Sequence, residues 1–145
     1  MPIYMELHTT DFVDMQRLLK ATMRLRPDRI IVGEVRDASA LALALVKAWN
    51  TGHEGGLATV HANSAREGLT RIEQLIAEGR YTPIKEVLAG AIHIVVFMKK
   101  LEGIRRVAEI VSIGFSSQAN DYAFDYRYRF QNESSHPYDG ELLAA

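Results

Sequence analysis

Two short apolar segments, each containing or ending in a residue that can take part in chemistry, constrain this chain more than any other feature. Residues 29–35 read RIIVGEV and contain Glu34, and residues 57–61 read LATVH and end at His61. A helical pattern over residues 40–50 joins them, which predicts parallel βαβ units with right-handed crossovers. The first strand is a near-continuous run of β-branched residues, as in a strand buried on both faces. Because ligands bind at the carboxyl edge of such sheets, we expect Glu34 and His61 to lie side by side there.

The remaining patterns predict the elements around these strands. A first helix is predicted to start at Thr10 or Asp11 and to stop before Pro27. Ser64 and Glu67 form a capping box at the start of a later helix. Pro83 takes the first position of the helix after that. Residues 92–98 and 105–113 predict a hairpin about a turn at 100–103, and residues 122–130 a strand with its aromatic side chains on one face. The expected fold class is α/β, with an antiparallel hairpin and strand region at the C-terminal end.

Composition narrows the class of protein. The net charge of −1 gives no overall field towards nucleic acid or towards an anionic membrane, and it leaves room for local basic patches. We expect no direct sequence-specific nucleic-acid binding. The absence of cysteine excludes disulfides and thiolate metal sites. The first residues lack a signal-peptide pattern, and the longest apolar run, residues 89–98, is far below the ~20 residues of a spanning helix. A cytoplasmic location is the resulting expectation.

Glu34 and His61 each admit two interpretations. A carboxylate ending an apolar strand either meets solvent in a cleft, where it can orient water or hold Mg²⁺ through its water shell, or forms an ion pair with Arg36 or Arg24. Thr59 and His61 share a face of their strand and together can donate to a phosphate oxygen. The alternative for His61 is a histidine satisfied by the backbone.

Other residues near these strands also allow more than one functional interpretation. Arg24, Arg26, Arg29 and Arg36 can meet phosphate or a neighbouring subunit's nucleotide, or they can favour the helix dipole. His53, with Glu54 and His61, allows a metal site, but the spacing is not H-E-x-x-H. We therefore expect no metal held by protein ligands alone.

A phosphate-cradling loop is missing from the sequence. Neither G-x-x-x-x-G-K-[ST] nor G-x-G-x-x-G occurs in it. The chain therefore has the catalytic edge of a nucleotide site without the loop that grips the phosphates.

The segment from LLKATMRLRPDRIIVGEVRD to TGHEGGLATVHANSAREGLTRIEQL resembles the secretion and conjugation traffic ATPases. These are hexameric RecA-like motors of type IV secretion and conjugative transfer, and the likeness is greatest to the TrbB-like conjugal-transfer ATPases. RIIVGE is similar to the family's Walker B segment and TGHEGGLATVHAN to its His box. The resemblance covers about residues 11–113, so residues 1–113 are expected to be the later half of a RecA-like P-loop NTPase domain. Residues 114–145 remain a strand and polar tail without assignment.

The resemblance implies roles for the matched residues. Glu34 takes the place of the catalytic glutamate that polarises the attacking water, and His61 that of the residue sensing the γ-phosphate, with Thr59 and His53 in the same box. Arg24 matches an arginine near phosphate or the subunit boundary. The implied cofactors are ATP and Mg²⁺. The implied partners are further copies in a hexamer and the inner-membrane channel proteins of a secretion or conjugation system, which places the chain in the cytoplasm or peripherally at the inner membrane.

The resemblance also departs from the family's pattern, since no Walker A loop or Asp box precedes Walker B here. We expect a truncated or partial ATPase that is inactive alone; the alternatives are a non-catalytic module that joins ATPase hexamers and a stand-alone metal hydrolase. A sheet without its P-loop strand leaves an edge and an apolar face uncovered, so we also expect self-association or low solubility.

Overall fold

Helices and strands alternate through the first half of the chain, and strands dominate the second half. The computed structural model describes residues 4–35, 39–53, 55–101 and 103–130. The elements in chain order are α1 (Met15–Arg24), β1 (Ile31–Val32), α2 (Ser39–Asn50), β2 (Leu57–Ala58), α3 (Ala65–Glu78), α4 (Lys85–Ala91), β3 (Ile94–Leu101), β4 (Ile104–Ser116) and β5 (Asp121–Arg129). The described part of the chain holds no helix of the length and apolarity that crossing a bilayer requires.

The first sheet consists of β1 and β2, which pair in parallel. Ile31 lies opposite Leu57 and Val32 opposite Ala58, which confirms the predicted parallel βαβ connection. The regular pairing is shorter than predicted, but single backbone hydrogen bonds extend it. The Leu57 amide donates to the Ile30 carbonyl at 3.1 Å before the paired residues, and the Val35 amide donates to the Thr59 carbonyl at 2.9 Å after them.

Helices cover one face of this sheet. The core centres on α2, which packs against α1, α3 and α4. Buried side chains from these helices, from β1 and from the residues that flank β1 form it, among them Ile30, Val32, Val35, Leu45, Leu75 and Leu88. On the opposite face the paired residues Ile31 and Leu57 are 71% and 61% exposed. The prediction of a strand buried on both faces is therefore wrong, because no described element covers the second face.

Local hydrogen bonds decide where α1 begins. The carboxylate of Asp14 accepts a hydrogen bond from the Arg17 amide at 2.7 Å, so Asp14 is the N-cap. The predicted cap at Thr10 or Asp11 is wrong, because the Thr10 hydroxyl accepts from the Phe12 amide and the residue pairs with Val13 in a separate turn.

The capping box of α3 forms in part. Ser64 caps the helix, and its hydroxyl accepts from the Glu67 amide at 3.1 Å. Glu67 reaches back one residue further than predicted, since its carboxylate accepts from the backbone and side-chain nitrogens of Asn63. The predicted start of α4 is wrong: Ile84 is the N-cap, so Pro83 lies outside the helix.

The second sheet is antiparallel, in the order β3-β4-β5. The predicted hairpin is confirmed: Leu101 pairs with Ile104, and Gly103 adopts a φ of 82° in the turn. One face packs on α3 and α4 through a second group of buried residues: Ala65, Leu69, Ala89, Val111 and Ile113.

A register irregularity divides the aromatic side chains of β5 between the two faces. Tyr126 pairs with Val111, whereas Tyr128 pairs with Ile110, and the register shifts between these positions. Because Ile110 and Val111 are adjacent in β4, they point to opposite faces. The prediction of a single aromatic face therefore fails beyond Tyr126.

Polar contacts tie β5 to the helices. The Tyr122 hydroxyl donates to the Glu73 carboxylate at 2.5 Å, and the Lys85 ammonium contacts the Asp121 carboxylate at 2.8 Å. Burial, together with the Glu73 carboxylate, raises the pKa of the Tyr122 phenol well above its usual range. The sheet is thus joined to α3 and α4 by polar contacts as well as by apolar packing.

Candidate functional site

The two chemistry-bearing residues of the parallel strands meet at the carboxyl edge of the first sheet. Glu34 follows β1 and His61 follows β2, and the His61 Nε2 lies 3.1 Å from the Glu34 Oε1. Since the strands run parallel, both end at the same edge of the sheet. The expectation that these side chains lie together is confirmed.

The two side chains differ in exposure. The Glu34 side chain is 27% exposed, whereas the His61 side chain is 91% exposed. At 3.1 Å the imidazole N–H can donate to the carboxylate, and a carboxylate can accept about four hydrogen bonds. The pair therefore combines a partly sheltered proton acceptor with an imidazole that is open to solvent.

Thr59 fixes the two strand ends against each other. Its hydroxyl donates to the Gly33 carbonyl, and its own carbonyl accepts from the Val35 amide. Gly33 and Val35 flank Glu34 in sequence, so both bonds hold the backbone that carries the carboxylate. In this arrangement the Thr59 hydroxyl proton is directed to the backbone of the first strand segment.

The opposite end of the same strands is fixed by Gly56, a residue that was not among the predicted site residues. A Cβ at Gly56 would lie 2.6 Å from the Ile30 carbonyl oxygen and 2.0 Å from the Trp49 indole nitrogen. The strand can therefore approach β1 and α2 only because no side chain is present. The Gly55-Gly56 pair directly before an apolar strand was the available signal, since glycine in or beside a strand often marks a close backbone approach.

The other predicted residues lie on segments that precede the strands or outside the described residues. His53 comes before β2, whereas His61 follows it, so the strand separates the two histidines. The His53 Nδ1 is buried and has no hydrogen-bond partner among the described residues. Arg24 is the exposed last residue of α1 and takes part in none of the ion pairs between described residues. Arg36, another predicted site residue, lies outside the described residues, as does Glu54.

A polar cleft of about 300 Å³ opens beside His61. The first turns of α3 and the segment leading to it form its walls, with His61, Ala62, Asn63, Glu67, Thr70, Arg71 and Gln74 as lining residues. Arg71 is 37% exposed and contacts Glu78 at 3.3 Å. Asn63 and Arg71 were not singled out from sequence, because an amide just before a helix and a guanidinium in its middle have no spacing signal of their own.

Comparison with known proteins identifies the family to which this chain is similar. Residues 3–117 match the family described as "Type II/IV secretion system protein". The conjugal transfer protein TrbB of Rhizobium radiobacter is 49% identical over 129 residues, which cover 88% of this chain and 39% of that protein. The type IV secretion system protein VirB11 of Bartonella quintana is 34% identical over 101 residues, covering 66% of this chain and 28% of that protein.

A solved structure shares the fold. The VirB11 ATPase from the Brucella suis type IV secretion system, in complex with sulphate, matches with a TM-score of 0.57 at 23% identity, over 66% of this chain and 32% of that one. The chain thus spans well under half the length of the relatives that it matches. From the family match and these relatives together, the chain belongs to the Type II/IV secretion system protein family, as a partial counterpart of its type IV secretion traffic ATPases.

Proposed function

We propose that this chain carries the water-activating and phosphate-sensing edge of an ATPase that powers type IV secretion or conjugative transfer. The observation that supports this most is the Glu34–His61 contact of 3.1 Å at the carboxyl edge of a parallel sheet. The relatives support the proposed process, because one is named as a conjugal transfer protein and one solved structure as a VirB11 ATPase. The activity of the whole protein is then ATP hydrolysis driving the export of DNA or protein.

Glu34 is the residue proposed to orient the attacking water. Phosphoryl transfer needs positioning and electrostatic stabilisation more than covalent help from the protein. A carboxylate that is 27% exposed at a strand end can accept a hydrogen bond from a water and take its proton. Mg²⁺ supplies charge neutralisation on the phosphates when bound, and Glu34 is suited to contact it through the metal's water shell.

His61 is proposed to report the γ-phosphate to Glu34. Its ring contacts the carboxylate through Nε2 while 91% of the side chain remains exposed, so one imidazole can bridge the carboxylate and an incoming phosphate oxygen. Thr59 acts as a positioning residue, since its hydroxyl and carbonyl hold the backbone on both sides of Glu34. Arg24, Arg36 and His53 remain proposed contacts to phosphate or to a neighbouring subunit.

The residues of the chain fit only part of a nucleotide. The carboxylate, the imidazole and the polar cleft suit the phosphate end and the metal's water shell, but the sequence has no phosphate-cradling loop. Tight ATP binding therefore requires a further polypeptide segment. We propose that further copies in a hexamer and inner-membrane channel proteins are the partners, and that this 145-residue chain alone does not turn over ATP.

A chimera tests this proposal. This chain replaces the matching segment of the Rhizobium radiobacter TrbB relative, and ATP binding and hydrolysis are measured separately. We expect hydrolysis in the chimera and a kcat at least about 100-fold lower in Glu34→Gln, with ATP binding retained. Glu86→Gln is the matched control, because Glu86 is an exposed carboxylate in the first turn of α4 and takes part in none of the ion pairs between described residues. Full activity in Glu34→Gln would refute the proposed role.

A second candidate is a non-catalytic module that joins ATPase assemblies. The uncovered sheet face favours it, since Ile31 and Leu57 are exposed side by side there. Light scattering on the isolated chain and on an Ile31→Ser/Leu57→Ser variant measures whether that face drives association. If the chain joins the TrbB relative in a mixed oligomer while the chimera shows no hydrolysis, the module replaces the catalytic proposal.

A further inference from the structure

The end of the β3–β4 hairpin concentrates positive charge on a chain whose net charge is −1. Lys99 pairs with Arg106 and Lys100 with Arg105, and all four side chains are exposed. None of them takes part in an ion pair between described residues. With Glu102 counted from the sequence, residues 99–106 carry four positive charges and one negative charge, a net charge of +3.

These facing cations destabilise the hairpin. Like charges directly opposite in an antiparallel pair are destabilising, and here two such pairs follow one another. The remaining cations of the sheet differ, because Arg127 contacts Asp125 at 2.9 Å and Arg129 lies 3.8 Å from Glu109. An anionic partner would offset the repulsion at the hairpin end.

Apolar residues lie beyond the cations, at the turn itself. Leu101 and Ile104 pair with each other as the last residues before the turn, and Ile104 is 56% exposed. A strand advances about 3.4 Å per residue, so the cation pairs follow about 3–7 Å behind this apolar pair. That spacing matches a surface at which apolar side chains enter about 5–10 Å while lysine and arginine remain at the phosphates.

We propose that the β3–β4 hairpin end docks on an anionic phospholipid surface, with Leu101 and Ile104 entering the headgroup layer and the four cations contacting lipid phosphates. A nucleic acid is the other polyanion that cations attract, but sequence-tolerant binding of single strands uses aromatic stacking. Residues 98–107 contain no aromatic residue. The Phe130 ring lies 6.0 Å from the Arg106 guanidinium, but Phe130 is only partly exposed and its amide donates to the Ala108 carbonyl, further from the turn than the cations. The exposed aliphatic tip therefore favours lipid, and the inference does not depend on ATP hydrolysis.

Vesicle co-sedimentation of the full chain tests the proposal. Vesicles of phosphatidylglycerol and phosphatidylcholine are compared with phosphatidylcholine alone, at low and high salt. We expect binding to the anionic vesicles only, weakened by salt. Each cation removed lowers the partition coefficient about fivefold, so Lys100→Gln/Arg105→Gln lowers it about 25-fold. Lys99→Gln/Arg106→Gln is an independent pair with the same expected effect.

Controls separate this site from the overall charge. Lys20→Gln/Lys47→Gln removes two exposed cations from α1 and α2 and should leave binding unchanged. Ile104→Ser should weaken the binding that persists at high salt, and circular dichroism checks that each variant is folded. Equal binding to neutral vesicles, or no loss in either hairpin variant, would overturn the proposal. So would binding of a single-stranded oligonucleotide at the hairpin with none to anionic vesicles.

Discussion

Replacing Gly56 by alanine should loosen the parallel sheet from its amino end. The added Cβ would lie 2.6 Å from the Ile30 carbonyl oxygen, which accepts the hydrogen bond from Leu57, and 2.0 Å from the Trp49 Nε1. Both distances are shorter than any van der Waals contact, so either Trp49 must move or the pairing of β1 with β2 must shift. The backbone oxygen has no rotamer by which to move away.

The expected cost follows from these contacts. Overpacking of a well-packed site costs typically about 1–3 kcal/mol, and the fixed backbone oxygen places Gly56→Ala at the upper end, about 3 kcal/mol. For a chain of this length that corresponds to a melting temperature about 10 °C lower. Urea unfolding followed by circular dichroism gives the free energy of unfolding, and an unchanged m-value shows that the variant still unfolds as one unit.

Two further variants isolate the cause. Gly33→Ala is the matched control, because a Cβ there meets nothing within 4 Å; its stability should stay within about 1 kcal/mol of the parent. Trp49→Phe removes the indole nitrogen and should rescue Gly56→Ala in part, with an interaction energy of about 1 kcal/mol, since the contact with the Ile30 oxygen remains. Equal stability of Gly56→Ala and Gly33→Ala would refute the reasoning.

Three further predictions concern the packing of α3. Tyr122→Phe removes the 2.5 Å hydrogen bond to Glu73 and should cost about 1–2 kcal/mol at neutral pH. Because the folded-state pKa of Tyr122 is raised, its stabilisation is present below pH 10.0 and lost as the pH rises above it; urea unfolding across this range should show a steeper alkaline decline in the parent than in the variant. Ser64→Ala removes the N-cap acceptor for the Glu67 amide and should cost about 1 kcal/mol, measured by urea unfolding, and no change would contradict its capping role. Leu75→Ala empties a fully buried position and should cost about 2–5 kcal/mol by the same measurement, whereas a loss below 1 kcal/mol would mean that the site collapses around the smaller side chain.

Local signals predicted most of the elements. The Ser64 cap, the hairpin about Gly103 and the alternation of strand and helix all depend on residues within a few positions of one another. The predicted starts of α1 and α4 were wrong because short-range signals compete with one another. The Thr10 hydroxyl closes its own turn instead of capping a helix, and the chain enters helical geometry only after Ile84.

The sequence by itself determined which residues can do chemistry and that Glu34 and His61 each follow an apolar strand. Parallel pairing then sends both to one edge, because strands that run in the same direction end on the same side. Only the tertiary structure decided that the two groups lie 3.1 Å apart. It also decided that Gly56 must lack a side chain and that the face holding Ile31 remains uncovered. Periodicity and caps follow from neighbours along the chain, whereas contacts between strands and the choice of covered face depend on residues that are distant in sequence and packed together only in the folded state.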